Sequence, residues 1–514
     1  MTLDSEDHTK TTCEEIDEGT EGKPDIQIIE RSIIARVFGF KEPTESGLHL
    51  AKLLAIMIPA FSASFQISTS FYMIFIAETL GGGDFIAGLA LVGVLAIVQL
   101  GIQTALDYPT GALGDHIGQR WVIASAMLTY GVAFWLTSTI TPETPFLTFV
   151  LIYALFGFGG SQESGAFDAW FDNNYRVAMP HDKDRKQYGV FWGKLGMISQ
   201  VTATLVLIPG SWLALVYQRT WVFGLQAILC VILAVMVLIL IRDLPGARET
   251  NEETSSMGEY ASLLKDGVRF LWSDPFIIFI TLGEILLFAT GPVWWSLLLF
   301  PLYATYLITD VAISSYRTII FVPSAVSNER SGVWSQRFEP KKWIPRFRLI
   351  QFNGFIMFLL LAFLTFVFPA PLASAELVRL VIPFTDLAII EMPAVSVLPM
   401  TIMLIIFVVS GLFGGFAGIL TGRVMIDCVP NRIRNSMYSL RPTLILLVSM
   451  PLLGFFGWLM PLSGFPVTFV LCAILSLLGA LLVKKAFSYP IPKIADLTTA
   501  SEGETEEMKE MEVT

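Results

Sequence analysis

Twelve apolar runs, each long enough to cross a bilayer as a helix, limit what this chain can fold into. A transmembrane helix needs about 20 consecutive apolar residues. Backbone inside lipid must satisfy its own hydrogen bonds, which leaves helices or closed barrels. Six runs lie near 51–79, 85–109, 119–140, 146–171, 187–210 and 220–242. Six more lie near 275–298, 309–331, 347–369, 398–422, 436–460 and 464–484. Composition agrees: the 514 residues are 54% hydrophobic and only 15% charged, against roughly 25% charged in a soluble domain. The expected fold class is an all-α membrane protein of twelve transmembrane helices.

The net charge of −11 argues against nucleic-acid binding, but it is concentrated at the two ends. Residues 1–30 carry −8 and residues 494–514 carry −6, so the middle of the chain is slightly basic. Residues 1–24 and 487–514 are read as disordered acidic tails. The basic residues then fix an orientation, because Lys and Arg concentrate in cytoplasmic loops. With both termini in the cytoplasm, Arg120, Arg176, Lys183, Arg185, Lys186, Arg242, Arg337, Lys341, Arg346, Arg348, Arg432 and Arg434 all fall inside, and the outer loops keep only Arg219 and Arg379. A plasma (inner) membrane location is expected, with no signal peptide. Residues 25–48 read as an interfacial amphipathic segment, and 244–274 as a cytoplasmic linker with a surface helix.

The chain also repeats. Gly111 to Arg120 follows the second run, and a weaker copy at Gly332 to Lys341 follows the eighth. Pro180 and Tyr188 recur as Pro430 and Tyr438, both at an offset of 250. Two six-helix halves, 49–243 and 275–486, are expected, as in transporters built from parallel repeats. Residues 371–397 form an extra outer segment in the second half, read as a lid, a re-entrant hairpin or a partner surface.

The loop after the second run carries Gly111, Asp115, Gly118 and Arg120, preceded by Asp107-Tyr-Pro-Thr. This resembles the signature of the major facilitator superfamily, and the lead-in is similar to that of its bacterial members. The resemblance covers residues 50–485. The second copy departs from it, with Gln336 in place of the acid and Glu339 in place of the second glycine. The resemblance implies a secondary transporter whose halves rock about a midplane site, clamped by this motif in the outward-facing state. Physically, Gly111 allows close helix approach and Gly118 a tight turn. Asp115 suits a helix start, and Arg120 offers a fork for a carboxylate. Asp172, then Asp168, are the acidic partners expected at the end of the fourth run.

Charges within apolar runs mark function or pairing. Glu284, in the seventh run, has no basic residue within a turn of it, and an isolated carboxyl at that depth suits proton coupling. Glu163 is the second proton-coupling candidate. Gln66, Tyr72, Gln99, Gln103 and Arg317 are candidate cavity-lining residues. Arg317 has three readings: pairing with one of these acids, binding an anion, or reaching out toward Asp310. Trp294 and Trp295 are read first as an interfacial aromatic belt and second as cavity lining. Lys194 is expected to pair with Asp168.

No histidine falls inside a run and no phosphate-binding Gly-rich motif occurs. No metal, cofactor or ATP-driven step is therefore expected, nor an enzyme. The expected partners are a small-molecule substrate, the bilayer, and protons as coupling ion. Export of amphiphilic or drug-like solutes leads, because the expected cavity is apolar and aromatic with few fixed charges to recognise sugars or phosphates. Uptake of a small metabolite is the alternative, and a non-transporting receptor or scaffold on the same fold is the reading from a different class.

Overall fold

A computed structural model describes residues 37–38, 40, 43–164, 166–182, 186–247, 265–372, 376–382, 387–429 and 434–492. The first half holds α1 (Glu45–Gln66), α2 (Thr69–Leu80), α3 (Phe85–Ile117), α4 (Gln119–Ser138), α5 (Phe146–Glu163), α6 (Ala166–Ala178), α7 (Lys186–Tyr217) and α8 (Arg219–Leu240). The second holds α9 (Pro275–Val293), α10 (Leu299–Tyr306), α11 (Asp310–Trp334), α12 (Pro340–Ile350), α13 (Phe355–Val367), α14 (Val397–Cys428) and α15 (Arg434–Ala486). The protein is a multi-pass membrane protein.

Among the described residues, ten helices are long and apolar enough to cross a membrane. Two features reconcile ten with the twelve expected. Helix α11 carries Arg317 and a run of polar residues, and is not among the ten. Helix α15 is a single stretch of 53 residues, but Gly464 interrupts it with a φ of 72°. The chain doubles back there: Arg441 reaches Glu284, and Gly479 meets Gly283 on the same helix.

Side-chain chemistry sets the helix starts. Asp84 accepts from the Ile86 N–H at 2.9 Å and Asp274 from the Phe276 N–H at 2.7 Å, each satisfying a donor the first turn leaves open. Thr44 caps α1, accepting from the Gly47 N–H at 3.0 Å, while its hydroxyl donates to the Ala178 carbonyl. That bond ties the chain's entry to α6. Phe38 and Phe40 are buried beside it, with ring centroids 4.9 and 4.8 Å from Phe191. The described end of the expected interfacial segment is thus core packing; the rest of it, like residues 1–36, lies outside the described residues. At the other terminus Phe487 is buried against Phe276 and Tyr489 stacks on Phe279. Packed chain therefore extends into the region expected to be a disordered tail, because these two rings complete the apolar face of α9. Residues 493–514 lie outside the described residues.

Two further boundaries differ from the sequence expectation. The fourth run is broken: α5 ends at Glu163, Ser164 turns to a ψ of 116°, and Asp168 and Asp172 fall on the separate helix α6. The extra segment is a β-hairpin, with β1 (Leu377–Val381) antiparallel to β2 (Ala388–Pro393) and Arg379 opposite Glu391. It is fixed to the start of α11 through the Ile308 N–H, which donates to the Glu391 carbonyl at 3.2 Å.

The two ends of the bundle differ. At the hairpin end, a single apolar cluster runs through both halves, from Met73, Leu89 and Tyr153 to Leu298, Tyr303 and Phe456. Gly93 of α3 and Gly457 of α15 bring their backbones together there, and a Cβ on Gly93 would lie 2.7 Å from the Leu453 carbonyl oxygen. At the motif end, the same helix α3 has open space at Gly111: among the described residues nothing lies within 4 Å of a Cβ built there. Among the described residues the close approach expected at Gly111 is not seen, and the halves meet at the opposite end.

Candidate functional site

The junction of the halves holds a cavity of about 480 Å³, within the usual range for small-molecule sites. The first half supplies Gln66, Thr69, Gln200 and Leu207, and the second supplies Trp295, Phe300, Arg317, Phe321, Phe352 and Phe407. A second cavity of about 620 Å³ continues toward the motif end, lined by Ser62, Gln66, Gln103, Tyr130, Glu163 and Ser199 among others. Gln66 lines both, so it stands where they adjoin.

Local backbone places the aromatic wall. Pro292 and Pro301 each lack a helical donor, and between them Trp294–Leu298 winds as a π-helical segment. Such segments re-aim successive side chains. Trp294 turns into the core, fully buried against Phe352, Phe358 and Phe407, while Trp295 turns into the cavity. The belt expectation for these two residues is corrected on both counts.

Arg317 is 6% exposed, yet among the described residues no carboxylate pairs with it. Its guanidinium lies over the rings of Trp295 and Phe321, at 4.7 and 4.3 Å from their centroids, an attraction of about 0.5–2 kcal/mol each. Asp310 is occupied elsewhere: Arg219 grips it with Nε and Nη2 at 2.7 and 2.8 Å and holds Glu78 with Nη1 at 2.5 Å. Arg219 thus bridges the halves at the hairpin end, a role its place in a short loop did not reveal. One turn above Arg317, Ser314 donates to Ser70 at 2.7 Å, Ser70 lies 2.9 Å from Ser211, and Ser211 meets Ser314. These three buried hydroxyls join α2, α7 and α11 and cap the cavity.

Glu284 is not isolated. Arg348 and Arg441 both donate to its carboxylate, from α12 and from α15. Arg348, only 2% exposed, also donates to Gln351 at 2.8 Å and Thr421 at 3.0 Å. The sequence had placed Arg348 among loop cations; the kinked path of α12 into α13 carries it inside instead. The signal was its setting, one turn before Gln351 and just ahead of an apolar run. Glu163 differs, exposed to the second cavity, with the Tyr130 hydroxyl donating to it at 3.2 Å.

The remaining residues sort as follows. Gln103 lines the second cavity and touches Gly160. Gln99 lines neither cavity; its backbone lies against Gly157, where α3 and α5 pack. Tyr72 also lines neither, standing in an aromatic cluster with Phe156 and Phe223. Gly118 has a φ of 103° and makes the whole turn between α3 and α4, a backbone state that favours glycine. Arg120 lies over Trp121, and Asp172 pairs with Arg176 at 2.8 Å. The side chains of Asp115 and Asp168 lie outside the described residues, and with them the expected Lys194 pair.

Comparison with known proteins decides the family. The family model of the Major Facilitator Superfamily matches residues 53–398. This chain belongs to the Major Facilitator Superfamily. Its fold is that of superfamily transporters of known structure. A mutant of the nucleoside transporter NupG is 14% identical, with a TM-score of 0.60 over 84% of this chain and 100% of that one. A D-xylose-proton symporter is 13% identical, with a TM-score of 0.58 over 85% and 98%. A bacterial homologue of the human lysosomal transporter Spinster, inward-facing and unoccupied, is 13% identical, with a TM-score of 0.55 over 88% and 94%. No curated protein sequence matches the chain at a significant level. The superfamily fold, its membrane-embedded helices and the cavity between its halves make this chain a transporter of small molecules.

Proposed function

We propose that the protein is a secondary active transporter working by alternating access, carrying a compact amphiphilic metabolite in step with protons. The motif end and both termini face the cytoplasm of a plasma (inner) membrane in this reading, so the conformation is inward-facing. The observation that carries it is the asymmetry of the halves. They are joined at the hairpin end by the three serines and the Glu78–Arg219–Asp310 bridge, while among the described residues nothing packs within 4 Å of a Cβ built on Gly111 at the other. Gly111, Asp115, Gly118 and Arg120, with Asp172 or Asp168, close that other end when the halves rock.

Proton coupling runs through Glu163, which faces a cavity and accepts from a neutral hydroxyl. Glu284, held by two arginines, serves the integrity of the second half. The lead given to drug-like export rested on a cavity with few fixed charges. Arg317, Gln66 and Gln200 are fixed polar groups in that cavity, and they support the small-metabolite alternative. The structural neighbours named for nucleoside and xylose transport lean the same way.

A crosslink tests the alternating-access reading. The double variant Ser211→Cys with Ser314→Cys should lose flux in proteoliposomes on oxidation and regain it on reduction. Undiminished flux in the oxidised variant would overturn it. An imposed pH gradient should drive solute in the parent and fail to do so in Glu163→Gln. Absence of protein-dependent flux across a broad solute panel would favour the receptor or scaffold reading.

A further inference from the structure

We infer that Arg317 is the anion-binding residue of the central cavity, and that the cavity takes a monocarboxylate with a flat, apolar body. This deepens the transporter reading and rests on it only for what the bound anion is for.

Three independent features point to this ligand. A guanidinium 94% buried is costly without a counter-charge, and among the described residues the structure provides no carboxylate for Arg317. The Tyr303 hydroxyl beside it is a phenol, an ordinarily uncharged group that supplies a dipole and no counter-charge. Second, the opposite wall adds another unmet donor: the Gln200 Nε2 is buried with no hydrogen-bond partner. Two donors facing one space, from α11 and from α7, call for an acceptor between them. A carboxylate has two oxygens and accepts both arms of a guanidinium fork. Third, apart from Gln66 and Thr69 the rest of the lining is mainly aromatic and aliphatic, with Phe300, Phe352, Phe407, Leu207 and Ile320 among it. A flat apolar body fits those faces. One buried cation is neutralised by one negative charge, which favours a monocarboxylate over a doubly charged phosphate.

The location gives the anion a consequence. Arg317 lies one turn from Ser314 of the serine cap, and Thr318 beside it donates to the Thr204 carbonyl of α7 at 3.3 Å. An anion held by Arg317 and Gln200 therefore spans the α7–α11 seam, which must part for the hairpin end to open.

The test is equilibrium binding to the purified full-length protein in detergent, by calorimetry. The probes are benzoate, phenylacetate and hexanoate, with phenylphosphonate at pH 8, benzamide and benzylammonium as the contrasting arms. At least one carboxylate should bind at least tenfold more tightly than benzamide, benzylammonium and phenylphosphonate. Arg317→Gln should lose at least tenfold of that affinity, Arg317→Lys should keep part of it, and Gln200→Ala should lose severalfold. Each variant is checked for an unchanged elution profile; if Arg317→Gln fails that check, the Lys variant and the probe ranking carry the test. The inference is overturned if no carboxylate binds, if benzamide or benzylammonium binds as tightly, if phenylphosphonate binds best, or if a folded Arg317→Gln retains full affinity. Solute flux in proteoliposomes without carboxylate binding would remove the anion assignment and leave the transporter reading. Carboxylate binding without any flux would do the reverse.

Discussion

Two arginines in the second half of the bundle are buried to nearly the same degree, and their surroundings are opposite. Arg348 meets Glu284, Gln351 and Thr421, so its charge is matched and most of its donors are used. Arg317 meets two aromatic faces, the Tyr303 hydroxyl and an open cavity, with no carboxylate among the described residues. Burial alone thus says little about what a charged residue is for. A paired charge inside the protein is part of the scaffold. A charge left without its counterpart, at the seam between two bodies, is a place where something arrives. The two acids follow the same division, with Glu284 locked between arginines and Glu163 looking into a cavity.

The comparison is broken most forcefully at Glu284. Glu284→Ala leaves the buried Arg348 and the half-buried Arg441 without their shared anion, and removing one partner of a buried ion pair costs about 3–5 kcal/mol. A fall of many degrees in the detergent melting temperature is expected. Replacing the whole trio, with Glu284→Leu, Arg348→Met and Arg441→Met together, should recover most of that loss, because apolar side chains avoid the cost of burying charge. Arg348→Met alone should cost about 2 kcal/mol, the scale of charge-assisted hydrogen bonds, since Arg441 still serves the carboxylate. A melt unchanged from the parent would place Arg348 outside the scaffold role. The bridge at the hairpin end is the mildest case. Arg219→Gln removes both partly exposed ion pairs of the bridge, to Glu78 and Asp310, together worth about 1 kcal/mol, roughly a fivefold change in the ratio of closed to open states. Spin or fluorophore labels across the hairpin end should read that shift as a larger fraction of separated pairs.

Much of the fold was legible in the chain because lipid permits so few solutions: apolar runs of spanning length, a charge bias between loops, and a glycine motif at one turn. Gly118 was legible to the residue, since its position at a helix junction demands a positive φ. The site was only partly so. Arg317 and Gln66 were found because polar residues in apolar runs are rare. Which of three partners Arg317 would take depended on helices far apart in sequence, and no local pattern encodes that. Arg348 was misplaced for a related reason, as a cation near a span's end reads as a loop cation until the helix is seen to bend inward. Trp294 and Trp295 were misread as one unit because nothing in the pair itself reveals the π-helical segment that sends them to opposite sides.

The most direct measurement is the melting temperature of Arg317→Met beside that of Arg348→Met, each without and with benzoate at saturating concentration. An unpaired buried guanidinium strains the empty protein, so Arg317→Met should melt higher than the parent, by about 1 kcal/mol of added stability once the lost cation–π contacts are set against it. Benzoate should raise the parent and Arg348→Met but not Arg317→Met. The account is contradicted if Arg317→Met melts below the parent as Arg348→Met does, or if benzoate stabilises it as much as it stabilises the parent.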